Sequence, residues 1–309
     1  MKTFGGYFEL ELPMGEEFHK KALRLNSARS CLRLLVRAMG IQTMWVPRFT
    51  CPVVWEALEA ENCAIKFYSI TDKLMPPEEI PNDEYLLYTN YFGICGRNVH
   101  ELEKKYPRMI LDNSQSFFAS PSGIASFCSP RKFFGVPDGG YLMGISEIPD
   151  LPQDFSYTRF NHLLKRIELG AQSGYEDYRK NEDLLDRQPL GQMSHLTRRL
   201  LEGIDYATCI KKRRKNYWCL HQKLGNINEF RADILEESDV PMIYPFLFHK
   251  KCLKSALIEH GIFTATYWPD QKDTGVGAEM ERFLVPLPID QRYTETDMND
   301  IVQTILELL

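Results

Sequence analysis

The chain has 309 residues, 44% of them hydrophobic and 26% charged, with a formal net charge of −5 and eight cysteines. This is enough for a large core and two domains, and the slightly acidic balance excludes a general electrostatic attraction to nucleic acid or to an anionic membrane. The cysteines form no C-x-x-C pair and match no zinc spacing, which argues against a metal site and suits reduced thiols in a cytoplasmic protein; the N-terminal M-K-T-F-G-G-Y-F-E-L-E-L carries no apolar signal core.

In chain order, N-S-A-R-S-C-L-R-L-L-V-R-A-M-G (26–40) predicts a helix. Leu32, Leu35, Val36 and Met39 form its apolar stripe, Asn26 or Ser27 caps it, and Gly40 stops it. The small residues at its entrance leave the N–H groups of Ala28, Arg29 and Ser30 open toward an anion, although a plainly capped core helix accounts for the same residues. Strands are expected at 44–47, 64–70, 85–90, 109–112, 125–128 and 140–143, with helices near 52–62 and 98–106. Several of these strands are apolar on both faces, as in a mostly parallel sheet covered by helices, so the fold class is α/β.

Two strand ends carry polar chemistry. In M-I-L-D-N-S-Q-S (109–116) an apolar strand ends on Asp112, which either holds a heteroaromatic nitrogen protonated or forms an Asx turn. In S-P-R-K-F-F-G-V-P-D-G-G (129–140) Lys132 stands between prolines and glycines, where the backbone approaches something closely or forms an ordinary surface loop. A lysine in a partly desolvated pocket near other cations can act as an amine nucleophile, and Arg131 next door would contribute in that direction.

From about 153 to 224 the pattern turns helical, with one long helix expected over 194–224. The run K-K-R-R-K (211–215) reads as its solvated face, with Tyr206, Ile210, Tyr217 and Leu220 as the buried stripe; the competing reading is a patch that binds a polyanion. A strand (243–248), a helix (250–260), strands near 262–267 and 283–287 and a helix (294–308) then form a smaller α+β domain. The expected division is 1–195, the large α/β domain, and 196–309, the long helix with the small domain.

A lysine amine, a strand-end acid and an anion cradle, in that combination, are what pyridoxal 5'-phosphate requires. The order N-S-A-R-S…P-R-F-T-C-P…L-D-N-S-Q-S…S-P-R-K-F-F-G-V-P-D-G-G resembles the fold-type-I pyridoxal-phosphate enzymes, and more narrowly the DegT/DnrJ family of sugar aminotransferases. M-S-H-L-T-R-R-L-L-E-G-I-D-Y, G-I-F-T-A-T-Y-W-P and L-P-I-D extend the likeness over nearly the whole chain. The resemblance implies an aminotransferase of polysaccharide or secondary metabolism that moves an amino group from an amino acid to a keto sugar, in nucleotide-linked form. It implies a homodimer, with no nucleic-acid or membrane partner.

By the same resemblance Lys132 would form the imine with the cofactor, Asp112 would face the ring nitrogen and Gln115 the phenolic oxygen. The backbone of Ala28 and Arg29 and the hydroxyl of Ser129 would hold the phosphate, with Ser126 as the fallback. A lysine at 132 argues against the family's dehydrating branch, which has histidine there. Three features depart from the pattern. Cys51 stands where the family stacks an aromatic ring on the cofactor, Leu190-Gly191-Gln192 stands just before Met193 where the family often has an asparagine, and the chain is short. They motivate the alternative of a non-catalytic protein that binds the cofactor or a nucleotide sugar. Arg159, Tyr157, Tyr267 and Asn90 are further residues within possible reach of a substrate.

Overall fold

The computed structural model describes residues 4–146, 149–230, 235–250, 252–269 and 275–309. Its main sheet is built from β1 (Leu23–Leu25), β2 (Thr43–Pro47), β3 (Ala64–Tyr68), β4 (Leu86–Thr89), β5 (Met109–Asp112), β6 (Ala125–Cys128) and β7 (Gly140–Met143). The strands lie in the order β1-β7-β6-β5-β4-β2-β3. β2 to β6 run parallel, whereas β7 pairs antiparallel with both β6 and β1. β4, β5, β6 and β7 are buried at every residue, because helices or loops cover both faces.

One face packs on α1 (Ala28–Met39) and α2 (Pro52–Glu59), which bury Leu32, Leu35, Val36 and Leu58 against Leu87, Ile110 and Phe127. α3 (Gly96–Lys105) lies on the other face, where Tyr88, Leu111 and Cys128 join a core that continues into the C-terminal part. A hairpin of α4 (Asn161–Leu169) and α5 (Tyr175–Asp186) follows the sheet, then α6 (His195–Glu202) and α7 (Tyr206–Leu224). The rest is a two-stranded antiparallel sheet, β8 (Ile243–Leu247) with β9 (Leu284–Pro288), packed with α8 (Leu253–Glu259), α9 (Val276–Phe283) and α10 (Glu295–Leu308).

The six strands expected in the first half form within two residues of their expected bounds. Four expectations need correction. β1 has only three residues, too short to show a period, and was not expected. The long helix is broken: α6 ends at Gly203, and Asp205 starts α7 by accepting the Thr208 N–H at 3.0 Å. Residues 262–267 remain irregular, while α9 was not foreseen. Finally, the basic run is not wholly solvated, because Arg213 is 1% exposed.

Candidate active site

The entrance of α1 is closed on one side by the glycines of the lysine loop. Ser27 caps the helix, its hydroxyl accepting the Ser30 N–H at 3.0 Å. That bond occupies the third amide, so the cradle expected at 28–30 narrows to Ala28 and Arg29. Gly139 donates its N–H to the Asn26 carbonyl at 2.8 Å, and a Cβ on Gly140 would stand 2.7 Å from the Ala28 nitrogen and 2.5 Å from the Ser27 carbonyl. The close approach suggested by the glycine pair is therefore made to the helix entrance.

The parallel register of β4 and β5 sets Thr89 beside Asp112 at one edge of the sheet. Asp112 is 4% exposed and its carboxylate accepts the Ser114 N–H at 2.8 Å, so the Asx bond forms and the side chain still lines the cavity beyond the strand. Burial pushes this carboxyl above the usual range, against the opposing pull of the Lys132 charge and of the bonds from Ser114. Gln115 is also buried. Its carbonyl oxygen accepts the Phe92 N–H at 2.8 Å, while its amide nitrogen has no partner. An unsatisfied buried donor costs about 1–3 kcal/mol, which marks this nitrogen as a place for a ligand acceptor.

β6 delivers the lysine loop. Ser129 is buried and lines the cavity; Ser126, buried with its hydroxyl unpartnered, does not. Lys132 ends a short 3₁₀ turn and is exposed, which differs from the desolvated lysine expected from sequence. Behind it, Arg213 lies 4.5 Å over the Phe133 ring and donates to the Phe133 and Met242 carbonyls and to Gln291. Burial lowers its pKa to about 10. A buried cation from the supposedly solvated run thus holds the back of the lysine loop. Asp138, fully buried in the same loop, accepts the Ser194 N–H and hydroxyl at 2.8 and 2.7 Å and so ties it to the start of α6.

Ala28, Arg29, Cys51, Asp112, Gln115, Ser129 and Lys132, from four separate segments, all line one cavity of about 170 Å³. Two of its walls carry no motif. α5 contributes Glu182, Leu185 and Asp186, with Arg29 bonded to the Leu185 carbonyl at 2.9 Å and to Asp186 at 2.7 Å, and Arg131 paired with Glu182. Trp268 closes another side. Lys132 also borders a neighbouring cavity of about 470 Å³ shared by Arg131, Arg166, Arg213 and Arg292, with Asp290 as its one carboxylate among the described residues. Of the other candidates, Tyr267 borders a further cavity at Lys132. Arg159 is paired with Asp154, Tyr157 is exposed, and Asn90 is used in bonds to Asn113 and Cys95. No cluster suited to a metal ion occurs among the described residues.

No family model matches the sequence, and no curated protein matches it. Solved structures do. A DegT DnrJ EryC1 StrS aminotransferase from Brucella abortus superposes with a TM-score of 0.63 at 13% identity, over 93% of this chain and 85% of that one. NtdA from Bacillus subtilis, solved with the cofactor PMP bound, gives 0.65 at 13% identity over 93% and 72%. Helicobacter pylori PseC, an aminotransferase involved in the biosynthesis of pseudoaminic acid, gives 0.59 at 14% over 93% and 86%. The chain thus has the fold of the DegT/DnrJ/EryC1/StrS sugar aminotransferases along nearly its whole length, at identities that speak for the fold alone.

Proposed function

We propose that this protein is a pyridoxal-phosphate-dependent aminotransferase that moves an amino group from an amino acid donor to a keto sugar, in nucleotide-linked form. The observation that carries the reading is the convergence of the lysine, the strand-end carboxylate and the helix entrance on one cavity, with the unpartnered Gln115 amide between them. The donor set fits the cofactor. The amides of the helix entrance and the Ser129 hydroxyl suit a phosphate, the buried carboxylate suits a cationic ring nitrogen, and the Gln115 amide suits an anionic phenolic oxygen.

Bound there, pyridoxal 5'-phosphate supplies an electron sink for the carbon that carries the migrating amino group. The chain's own residues do the rest. Ala28, Arg29 and Ser129 bind the phosphate; Asp112 holds the proton at the ring nitrogen; Gln115 orients the ring through its phenolic oxygen. The Lys132 amine would hold the cofactor and would move the proton at the donor's α-carbon as general base and then acid. Arg166, Arg213 and Arg292 give the adjoining cavity a positive lining suited to an anionic substrate. The division into 1–195 and 196–309 sets this cavity between a sheet-based body and a lobe that contributes Trp268.

A homodimer accords with the exposed Ile167, Leu169 and Leu184 of the helical hairpin. A reducing, cytoplasmic setting accords with the buried free thiols. The second reading, a protein that binds the cofactor without turnover, is favoured by Glu182 and Asp186, whose negative charge lines the cavity beside the proposed phosphate cradle.

One experiment tests both. Purified protein with added cofactor is expected to develop a visible absorption band that borohydride fixes to Lys132 and that Lys132→Ala lacks. An amino donor is then expected to convert the cofactor to its amine form. The absence of both band and conversion sinks the first reading, conversion without a band at Lys132 removes Lys132 from the role given it, and a band without conversion under any donor supports the second.

A further inference from the structure

Resting on the cofactor reading, we propose that Trp268 supplies the aromatic face that holds the cofactor ring, the part left open by Cys51. Cys51 is half-buried, makes no cap bond at the start of α2 and offers little area for stacking. Among the described residues that line the cavity, Phe127 and Trp268 are the two aromatics, and Trp268 is the one from beyond residue 186. Phe127 belongs to the core cluster packed under α1, so its ring has other neighbours to serve. Trp268 is 8% exposed and aimed by other rings: Phe49 meets it edge-on at 4.7 Å and 73°, Tyr91 at 6.2 Å and Tyr267 at 5.5 Å.

Phe49 lies two residues before Cys51, and its carbonyl accepts the Tyr91 hydroxyl at 2.9 Å, so Trp268 is fixed to the very turn that lacks a ring. Its backbone is held at a φ of 42°, a left-handed conformation unfavourable for a bulky residue. Such local strain persists where the surroundings enforce a side-chain position. An indole there stacks on any planar heteroaromatic ring, and most strongly on a cationic one.

The test compares the affinities of pyridoxal phosphate, of its 4'-deoxy analogue, which cannot react with an amine, and of inorganic phosphate. The proteins are the wild type, Trp268→Leu, Trp268→Phe and Cys51→Ala, each checked for cooperative unfolding. Trp268→Leu is expected to weaken both ring-bearing ligands about tenfold and to leave phosphate within twofold, while Trp268→Phe recovers most of the loss. Cys51→Ala is expected to stay within twofold throughout. Ring-ligand affinities unchanged in Trp268→Leu, or a parallel loss for phosphate, would overturn the assignment while the cofactor reading stands. A wild-type protein that binds neither ring-bearing ligand overturns both.

Discussion

The cavity has two kinds of wall. One is made where segments end: α1 at Ala28 and Arg29, β5 at Asp112, the lysine loop at Ser129 and Lys132. The other is made by surfaces that merely pass by, the face of α5 with Glu182 and Asp186 and the indole of Trp268. The first wall supplies hydrogen-bond donors and acceptors. The second supplies charge and area. Chemistry is held by local turns, whereas affinity and access are adjusted by packing between distant parts.

The sharpest way to break the contrast is at the first wall. Asp112→Asn removes the charge that would keep the ring nitrogen protonated, while its amide can still take the Ser114 N–H. The donor half-reaction is expected to fall about 10³-fold, or about 4 kcal/mol, in single-turnover absorbance. Attachment at Lys132 is expected to survive. A half-reaction within tenfold of wild type would remove Asp112 from the chemistry.

Gly140→Ala probes the same wall through its backbone. The added carbon meets main-chain atoms of Ser27 and Ala28 that cannot turn aside, and a loss of about 3 kcal/mol is expected in denaturant unfolding. Gly135→Ala in the same loop meets only a Leu163 methyl at 3.4 Å and is expected to stay within about 0.5 kcal/mol. Equal effects at the two glycines would mean that β7 does not press on the helix entrance.

This difference between walls is also the difference between what the sequence showed and what it hid. Apolar runs such as M-I-L-D and the glycine pair after Lys132 have local signatures, and each marks a turn whose place follows from sheet topology. α5 reads as an ordinary charged helix, and nothing in Y-E-D-Y-R-K-N-E-D-L-L-D tells that Glu182 and Asp186 face a ligand cavity. Trp268 lies 136 positions beyond Lys132, so only the packing of β8 and β9 with their helices brings the two together. Arg213 was masked by its neighbours: in a run of five cations, periodicity reports exposure on average and misses the one turned inward. The break at 203–205 left a signal, Gly203 followed by the capping Asp205, which the apolar stripe on either side outweighed.

The second wall is probed by charge. Replacing Glu182 with Gln and Asp186 with Asn removes two negative charges from the cavity and releases Arg131 and Arg29 from their ion pairs. Both effects favour an anion. Pyridoxal phosphate is expected to bind about fivefold tighter, a gain of about 1 kcal/mol at low salt that shrinks as salt rises. Weaker binding in the double variant would mean that α5 builds the cradle rather than opposing it.

The smallest expected effect separates a histidine of each region. His162, buried within the hairpin, and His19, against Phe117 with its Nε2 at 2.6 Å from that carbonyl, are both held below the usual 6.5 because burial disfavours the charged ring. Arg131 lowers His162 further. Between the depressed folded value and 6.5 the unfolded chain binds more protons than the folded one, so stability rises with pH there. The contribution is complete above about 6.5 and is lost as acid takes the pH below it, by at most about 0.8 kcal/mol per histidine at pH 6. His162→Gln is expected to flatten the slope of unfolding free energy between pH 7 and 6 relative to wild type, and His19→Gln to do the same. If only His19→Gln does so, the hairpin opens readily enough for His162 to reach water, and the second wall is the movable one.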